Sequence, residues 1–177
     1  MTDSSPAQGK FFGKYRGTVV NNIDPELRGR ILALVPDVLG VVPSNWCEVS
    51  APLAGPTGLP MGAYMVPPIG AGVWVEFEKG NPEMPIWSGC RFSTGDIPPL
   101  AMAGLPVSPS IVLSTSLQNT IAISDLPGPV GGIMLKSTTG AALIVNDTGI
   151  YIQNGKGAVI TLIGPVIDFN VGALTIT

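Results

Sequence analysis

Residues 140–177, GAALIVNDTGIYIQNGKGAVITLIGPVIDFNVGALTIT, repeat with a period of eight, and this repeat decides the predicted fold. Each octad has the alternation and the β-branched content of a strand, and glycine or asparagine lies near most of the seams. Such octads predict short strands joined by turns, with Asn146 and Asn154 as turn formers. The aligned columns are Ala142, Ile150, Ala158, Val166 and Leu174, and Ile144, Ile152, Ile160, Asp168 and Ile176.

A fixed short repeat is typical of a β-solenoid or β-prism, in which strands stack on one another. One octad cannot bury its apolar face alone, and so short an array needs further copies of the chain to close its core. The tail is therefore predicted to be one third of a trimeric needle. Its predicted core consists of Ala142, Ile144, Ile150, Ile152, Ala158, Ile160, Leu162, Leu174 and Ile176.

Asp168 interrupts an otherwise apolar column, and two arrangements explain it. If the octad register holds, three carboxylates meet at the needle axis, where burial and like charge raise their pKa values or recruit a cation. If Pro165 shifts the register by one, Ile167, Phe169 and Val171 point inward and Asp168 faces water. The second arrangement is preferred because it buries apolar side chains instead of charge. No cofactor or metal is expected, and Asp168 is the single candidate for an axial ion site.

Composition divides the chain of 177 residues into two parts. Seven of the nine Lys and Arg residues precede residue 97, and the chain contains 23 glycines, 18 prolines and no sustained helical apolar period. We therefore expect an all-β chain. The predicted divisions are a flexible N-terminus at 1–9, a small domain at 10–95, a Pro-rich neck and start of the needle at 96–132, and a spike with octad repeats at 133–177.

Five predicted strands at residues 10–21, 28–35, 45–51, 72–78 and 84–92 have the content of a small Greek-key barrel. In the fourth strand, Val73, Val75 and Phe77 form a core face, and Trp74 lies on the outer face. The neck should run extended because it is rich in proline, with short strands at 111–114 and 119–123. A disordered linker is the alternative, which the apolar content of this segment disfavours.

Several function classes are excluded by what the chain lacks. It contains no histidine, which rules out Ser-His-Asp and Cys-His catalysis and His-ligated zinc. Glu76, Glu78 and Glu83 are candidates for a carboxylate pair, but Glu76 and Glu78 share one exposed strand face. Cys47 and Cys90 form no CxxC pair and are expected to be buried thiols, with a disulfide or a metal role as the alternative. We therefore predict no enzyme activity.

The charge pattern and the N-terminus narrow the partners and the compartment. The formal net charge is −3 and the basic residues are scattered, which argues against nucleic-acid binding. Residues 1–9 are polar, so neither a signal peptide nor a membrane span is expected and folding is assigned to the cytoplasm.

The barrel region carries an ordered series of residues across all five predicted strands, which is more specific than any one of its dipeptides. The series includes Tyr15, Gly17, Asp24, Pro25, Gly29, Arg30, Gly70, Val75, Phe77, Gly80, Pro85 and Gly89. It resembles the OB-fold domain of the phage baseplate assembly protein V family, which is also the OB domain of VgrG spikes. The resemblance covers about half of the chain.

The resemblance implies a homotrimeric central spike below the tail tube of a contractile injection machine, in a virion tail baseplate or phage-tail-like particle assembled in the bacterial cytoplasm. Three five-stranded OB-fold barrels would form a collar, and three C-terminal segments would intertwine into the needle. The spike would join a separate hub protein above to the tip and be driven through the target cell envelope. No lysozyme domain is expected between barrel and needle.

Some spikes of this family carry a His-x-His pair that binds iron near the C-terminus, and this sequence lacks it. The resemblance therefore predicts a blunt end on which a separate PAAR-like tip protein sits. The expected contact residues are Gly172, Ala173, Leu174, Thr175, Ile176 and Thr177.

Two other functions remain open from the sequence. An OB-fold that binds single-stranded nucleic acid needs a basic groove lined with aromatic rings, and Trp46, Trp74 and Trp87 supply only the rings. A carbohydrate-binding or lytic tail protein needs a paired-carboxylate cleft, which the sequence does not indicate.

Overall fold

The computed structural model describes residues 9–55, 58–104, 108 and 110–176. These residues fall into two compact units that divide between Ser93 and Thr94. The division lies two residues before the predicted boundary. Both units are built from β-strands, which confirms the predicted all-β class, and the two α-helices of the described chain have four residues each. None of the described helices has the length and apolar character needed to cross a bilayer.

The first unit is a curled five-stranded sheet. Its elements are β1 (Tyr15–Asn21), β2 (Leu32–Leu34), α1 (Pro36–Leu39), β3 (Glu48–Val49), β4 (Gly72–Phe77), a 3-10 turn (Glu78–Gly80) and β5 (Pro85–Arg91). The strand order is β2-β1-β4-β5-β3, with β3 and β5 parallel and the other pairs antiparallel. Bridges between Ile31 and Cys47 and between Leu34 and Pro43 connect the two ends of this order, so the sheet curls towards a barrel.

The core of this unit lies inside the curl and is apolar. It consists of Val19, Ile31, Ala33, Val35, Cys47, Val73, Val75, Phe77 and Trp87. The predicted alternation of β4 places Val73, Val75 and Phe77 in this core, while Trp74 is only half-buried on the other face. Gly17 permits the close packing of β1 on β4, because a Cβ there would lie 3.0 Å from the Val75 side chain.

The predicted strands of this unit overlap the observed ones, but all five were predicted longer than they are, the first three by several residues. β2 contains only Leu32–Leu34. Residues 10–14 do not belong to β1, because Gly13 takes a left-handed φ of 94° that ends the extended chain. Phe11 instead packs against Tyr15 and Phe77, and its N–H bonds to the carbonyl of Gly80 at 2.9 Å. The third strand contains only Glu48 and Val49.

The second unit is an eight-stranded antiparallel meander in which neighbours in the chain are neighbours in the sheet. A single helical turn, α2 (Pro99–Met102), precedes it. The strands are β6 (Ile111–Ser114), β7 (Thr120–Ser124), β8 (Gly132–Lys136), β9 (Ala141–Asn146), β10 (Gly149–Asn154), β11 (Val159–Ile163), β12 (Val166–Phe169) and β13 (Leu174–Ile176).

Two parts of the predicted neck therefore have regular structure. Pro99–Met102 is helical where an extended chain was predicted, since proline is well tolerated in the first helical turn. β6 and β7 belong to the same sheet as the octads, as the apolar content at 111–114 and 119–123 suggested. Residues 105–107 and 109 lie outside the described residues.

Asparagine side chains close the hairpins of the meander, as predicted for Asn146 and Asn154. The Asn146 side-chain oxygen accepts hydrogen bonds from the backbone N–H groups of Thr148 (3.0 Å) and Gly149 (3.2 Å). The Asn154 oxygen accepts from the N–H groups of Lys156 (2.8 Å) and Ala158 (3.1 Å). These are the local bonds that favour asparagine in turns, so both residues shape the chain.

Replacing the fully buried Ile31 should test the core of the first unit. We expect Ile31→Ala to lower the free energy of unfolding of this unit by about 2–5 kcal/mol, because it removes buried methyl groups and leaves a cavity. Urea unfolding followed by tryptophan fluorescence measures this unit, since Trp46, Trp74 and Trp87 all lie in it. The control Val41→Ala, at a position that is 92% exposed, should change stability by less than about 0.5 kcal/mol. Equal urea midpoints for the two variants would contradict the assigned core.

Candidate functional site

The hydrogen-bond register of the second unit aligns two rows of large apolar side chains on one side of the sheet. We call this side the apolar face. One row consists of Leu113, Ile121, Leu135, Leu143, Ile152, Ile160, Phe169 and Leu174. The other consists of Ile111, Ile123, Ile133, Val145, Ile150, Leu162 and Ile167, and the pairing of Ile167 with Ile176 continues it into β13.

In a single chain the apolar face is exposed from β6 to β9 and half-buried over most of β10 to β12. In β6 to β9 every member of the two rows has between 38% (Leu143) and 66% (Ile111) of its surface accessible. On the opposite face, Thr120, Ala122 and Ala142 are buried. Covering one large aliphatic side chain contributes about 1.5–3 kcal/mol, and contiguous exposed patches of this kind mark interaction sites. The sheet therefore presents an interface that a single chain does not cover.

The apolar face contains only part of the predicted needle core. Ile150, Ile152, Ile160, Leu162 and Leu174 lie on it, and Ile176 occupies a register position there. The register places Ala142 and Ile144 on the opposite face, and Ala158 in the turn before β11.

The octad columns change faces because turn length decides the register. The turns 147–148 and 164–165 each contain two residues, so Asn146 pairs with Gly149 and Ile163 with Val166. Across each of these turns, odd-numbered residues of one strand pair with even-numbered residues of the next and lie on the same face of the sheet. The rows therefore do not follow a fixed period of eight. The predicted needle core did not include the row members in β6, β7 and β8. The alternation of apolar residues within each strand, traced from Ile111 onwards, would have identified them.

Asp168 lies on the face opposite Ile167 and Phe169. The register pairs it with Thr161 and Thr175, and its Oδ1 accepts a hydrogen bond of 2.6 Å from the N–H of Gly172. Ile167 and Phe169 thus share a face opposite to that of Asp168, as in the shifted arrangement preferred from the sequence. Val171 differs from that arrangement, because it lies in a turn with a φ of 56° and is 87% exposed. An ion site at Asp168 would require this opposite face, not the apolar face, to point to the axis.

In the first unit, the motif residues Asp24 and Arg30 form a buried ion pair that closes the loop between β1 and β2. Arg30 Nη2 lies 2.7 Å from Asp24 Oδ1, and Arg30 Nε also donates to this carboxylate. The same carboxylate accepts from the N–H groups of Glu26 (3.0 Å), Arg28 (2.8 Å) and Arg30 (3.2 Å). Arg30 lies over the Trp46 ring at 5.6 Å. The loop is thus held by charge-assisted bonds.

These bonds shift the ionisation of the pair. The Arg30 guanidinium, helped by the three backbone N–H groups, holds the pKa of Asp24 well below its usual range, although burial acts in the opposite direction. Arg28 and Arg30 also lower the pKa of Glu26, whose carboxylate lies 3.0 Å from Arg30 Nη2. Both carboxylates are therefore ionised at neutral pH and hold the loop through fixed charge.

The other motif residues have structural positions. Tyr15 packs on Phe77 with ring centroids 5.6 Å apart, Val75 and Pro85 are fully buried, and Pro25 is exposed in the loop. The carbonyl of Gly29 accepts a hydrogen bond of 3.1 Å from Trp87 Nε1. The remaining glycines, Gly70, Gly80 and Gly89, have positive φ angles.

The tryptophans and acidic residues do not assemble the alternative sites. Trp87 is 6% exposed and hydrogen-bonded, so its ring is not available to stack on a base, and Arg30 covers Trp46. Glu76 lies 3.0 Å from Lys14, and Glu83 accepts a hydrogen bond of 2.8 Å from Asn45. Trp46, Trp87, Glu76 and Glu83 are therefore engaged in contacts within the fold.

The two cysteines have different environments, and only Cys47 is the predicted buried thiol. Cys47 is inaccessible in the core, where burial raises its pKa. Cys90 is exposed, contrary to the prediction. The alternating burial of β5 stops after Trp87, where its register with β4 becomes irregular, and Cys90 lies beyond that point.

Two family models match the chain. The phage baseplate V C-terminal trimerisation domain matches residues 110–175, which span the meander from β6 to β13. The type VI secretion system/phage-baseplate injector OB domain matches residues 15–92, which span the five strands of the first unit. No curated protein sequence is similar enough to the chain to count as a match. The matches confirm the resemblance inferred from the ordered motif, and the trimerisation domain supports a homotrimer.

Acid should weaken the first unit through Asp24. The pKa of Asp24 is lower in the folded chain than its ordinary value of 3.8, so its contribution to stability is complete well above that pH and is lost as the pH falls through and below it. We expect the urea midpoint, followed by tryptophan fluorescence, to decline from about pH 5 downwards. Asp24→Asn should be less stable at neutral pH, because Arg30 loses its buried partner, and should show a shallower decline that reflects Glu26.

The exposed Glu78 offers a matched control for this experiment. Glu78→Gln should keep the acid-induced decline of the unmodified chain. An Asp24→Asn variant with the same decline as the unmodified protein would contradict the role assigned to Asp24.

Proposed function

The chain belongs to the phage baseplate assembly protein V family, and we propose that three copies form the central spike of a contractile tail baseplate. In this proposal the spike links the tail hub to the tip and punctures the target cell envelope when the sheath contracts. The observation that carries it is the apolar face, which is exposed in one chain and lies within the region that matches a trimerisation domain.

Three copies of the second unit would bury this face against one another around a common axis. Each strand already pairs with strands of its own chain, so each chain would supply one wall of a β-prism instead of interweaving its strands with those of other chains. Each wall would be as wide as one short strand is long, and most strands would direct two apolar residues towards the axis. Eight strands spaced by about 4.8 Å would make a prism about 34 Å long.

The proposed role is mechanical. The apolar rows would make a dry core along the axis, while the backbone hydrogen bonds of each wall run along that axis from strand to strand. Such a needle resists bending and detergent because unfolding one wall exposes the apolar residues of all three. The family is a structural baseplate component, which fits a part that binds partners and transmits force.

The proposed tip contact is the end of the meander. In the described sheet, β13 pairs with β12 alone, so its other edge has no strand from the same chain. Gly172 and Ala173 form the turn that leads into it, Leu174 is 57% exposed, and Thr175 and Ile176 complete the strand. Thr177 lies outside the described residues. A PAAR-like tip protein would cover this edge and end, and a hub protein would bind at the opposite end of the spike.

Membership of the baseplate family supports a location in the tail baseplate of a virion or a phage-tail-like particle. We further propose that it assembles in the bacterial cytoplasm, without nucleic acid or a cofactor as partner. The contact with the target envelope would be transient.

The mass in solution tests the homotrimer directly. Light scattering of the purified chain should give about three times the 18.2 kDa of one chain, and the species should survive heating in detergent because its core is buried at the axis. A monomeric mass at micromolar concentration would remove the basis for the proposed spike.

Neighbouring residues of β10 test which face is covered. Ile152→Asp should abolish the trimer, because three copies would bring three carboxylates into an apolar core. Gln153→Asp, one residue further on the opposite face, should leave the mass unchanged. Light scattering distinguishes the two outcomes. Trimers from both variants, or from neither, would argue against the apolar face as the interface.

A further inference from the structure

The first unit carries a long segment without charge between β3 and β4. From Val49 to Val75 the sequence contains no Asp, Glu, Lys or Arg. Six of its large apolar side chains are between 51% and 90% exposed: Leu53, Leu59, Met61, Tyr64, Met65 and Ile69. Exposed surface this rich in apolar residues and free of charge has the composition of the centre of a protein interface.

Part of this segment forms a hairpin, of which residues 53–55 and 58–63 are described; we call it the 53–63 hairpin. Gly55 donates its N–H to the carbonyl of Met61 (2.7 Å), and Ala63 donates to the carbonyl of Leu53 (2.9 Å). An isolated bridge joins Ala54 and Gly62. Leu59 lies in its connecting part and is 90% exposed. The hairpin therefore presents an apolar side chain to its surroundings.

Beside the hairpin lies an apolar groove of about 800 Å³. Val49, Met61, Tyr64, Val66, Trp87 and Cys90 are among its lining residues, and Leu59 is not. Among the described lining residues only Arg28 carries a charge, and its guanidinium is paired with Glu26 (3.2 Å) and Glu48 (2.9 Å). The groove thus offers little to a charged or highly polar ligand.

We propose that in the homotrimer the Leu59 end of the 53–63 hairpin of one copy enters the apolar groove of the next copy. The inference rests on the proposed homotrimer. A three-fold ring needs two different complementary patches on each copy, because a self-complementary patch produces a two-fold dimer. The first unit has both: an apolar projection and an apolar groove.

Trimerisation also makes a second copy of the chain the partner that the groove meets most often. Once the second units associate, neighbouring first units are held at an effective concentration of the order of millimolar, so a modest apolar contact is enough to dock them. A free partner protein would have to find an uncharged patch without electrostatic steering. A neighbouring copy has no such requirement.

Cys90 is a native reporter of this contact. It lines the groove and is exposed in a single chain, whereas Cys47 is buried in the core of the same unit. In the full-length trimer, we expect N-ethylmaleimide to modify Cys90 at least about tenfold more slowly than in the Leu59→Glu trimer, because the neighbour's hairpin covers the thiol. Timed labelling followed by mass spectrometry of the two cysteine peptides measures both rates.

The variants are chosen so that the fold and the mass are preserved. Leu59 lies outside the groove of its own chain, so the glutamate of Leu59→Glu should leave the surroundings of Cys90 in that chain unchanged. Val41→Glu places the same charge at another exposed apolar site of this unit and should keep the slow rate of the unmodified trimer. Light scattering should give a trimer for all three proteins, because the second unit holds them together.

A second readout identifies the copies. After mild oxidation, Leu59→Cys should give disulfide-linked species containing two and three chains through Cys90, and Val41→Cys should give none. Fast labelling of Cys90 in the unmodified trimer would overturn the inference, as would slow labelling that persists in Leu59→Glu. A trimer with reactive Cys90 refutes only this contact, whereas a monomeric mass refutes the homotrimer itself and the contact with it.

Discussion

Antiparallel pairing supplies every strand from β7 to β12 with two hydrogen-bonded neighbours from its own chain, but it leaves one side of the sheet uncovered. Two rows of large apolar side chains are then exposed or partly exposed to water in a single chain, at a free-energy cost that grows with the exposed apolar area. The backbone hydrogen bonds of these strands are made within one chain, whereas the apolar side chains of this face are not covered by that chain. Association of copies follows from that imbalance, since burial of the rows needs no rearrangement of the hydrogen bonds.

The first unit buries its apolar side chains within one chain. Its five strands curl until the two ends of the sheet are bridged, and the side chains inside the curl bury one another. Its loops are held by specific bonds, above all the Asp24–Arg30 ion pair and the Trp87 hydrogen bond to Gly29. A unit with its own core can keep other surfaces for partners, which is the role proposed for the 53–63 hairpin and the apolar groove beside it.

Small local features determine where these surfaces point. The two-residue turns at 147–148 and 164–165 change which alternate residues share a face, so they decide that Leu143 and not Ile144 belongs to the apolar face. Cys90 lies beyond the irregular register between β4 and β5, where the alternating burial of β5 ends. In the meander, a change of one residue in register moves a side chain from one face of the sheet to the other.

Composition and alternation by themselves determined the all-β class, the approximate strands, the core face of β4 and the family resemblance, because these depend on local propensity and on residue order. They also indicated that the tail cannot bury its apolar residues alone. Only the tertiary structure decided which residues form the apolar face, that Asp168 lies opposite Ile167, and that Cys90 is exposed. Those outcomes depend on strand register, which is set by the lengths of turns and by bulges between paired strands. A repeat of eight residues in the sequence does not show which residues become paired.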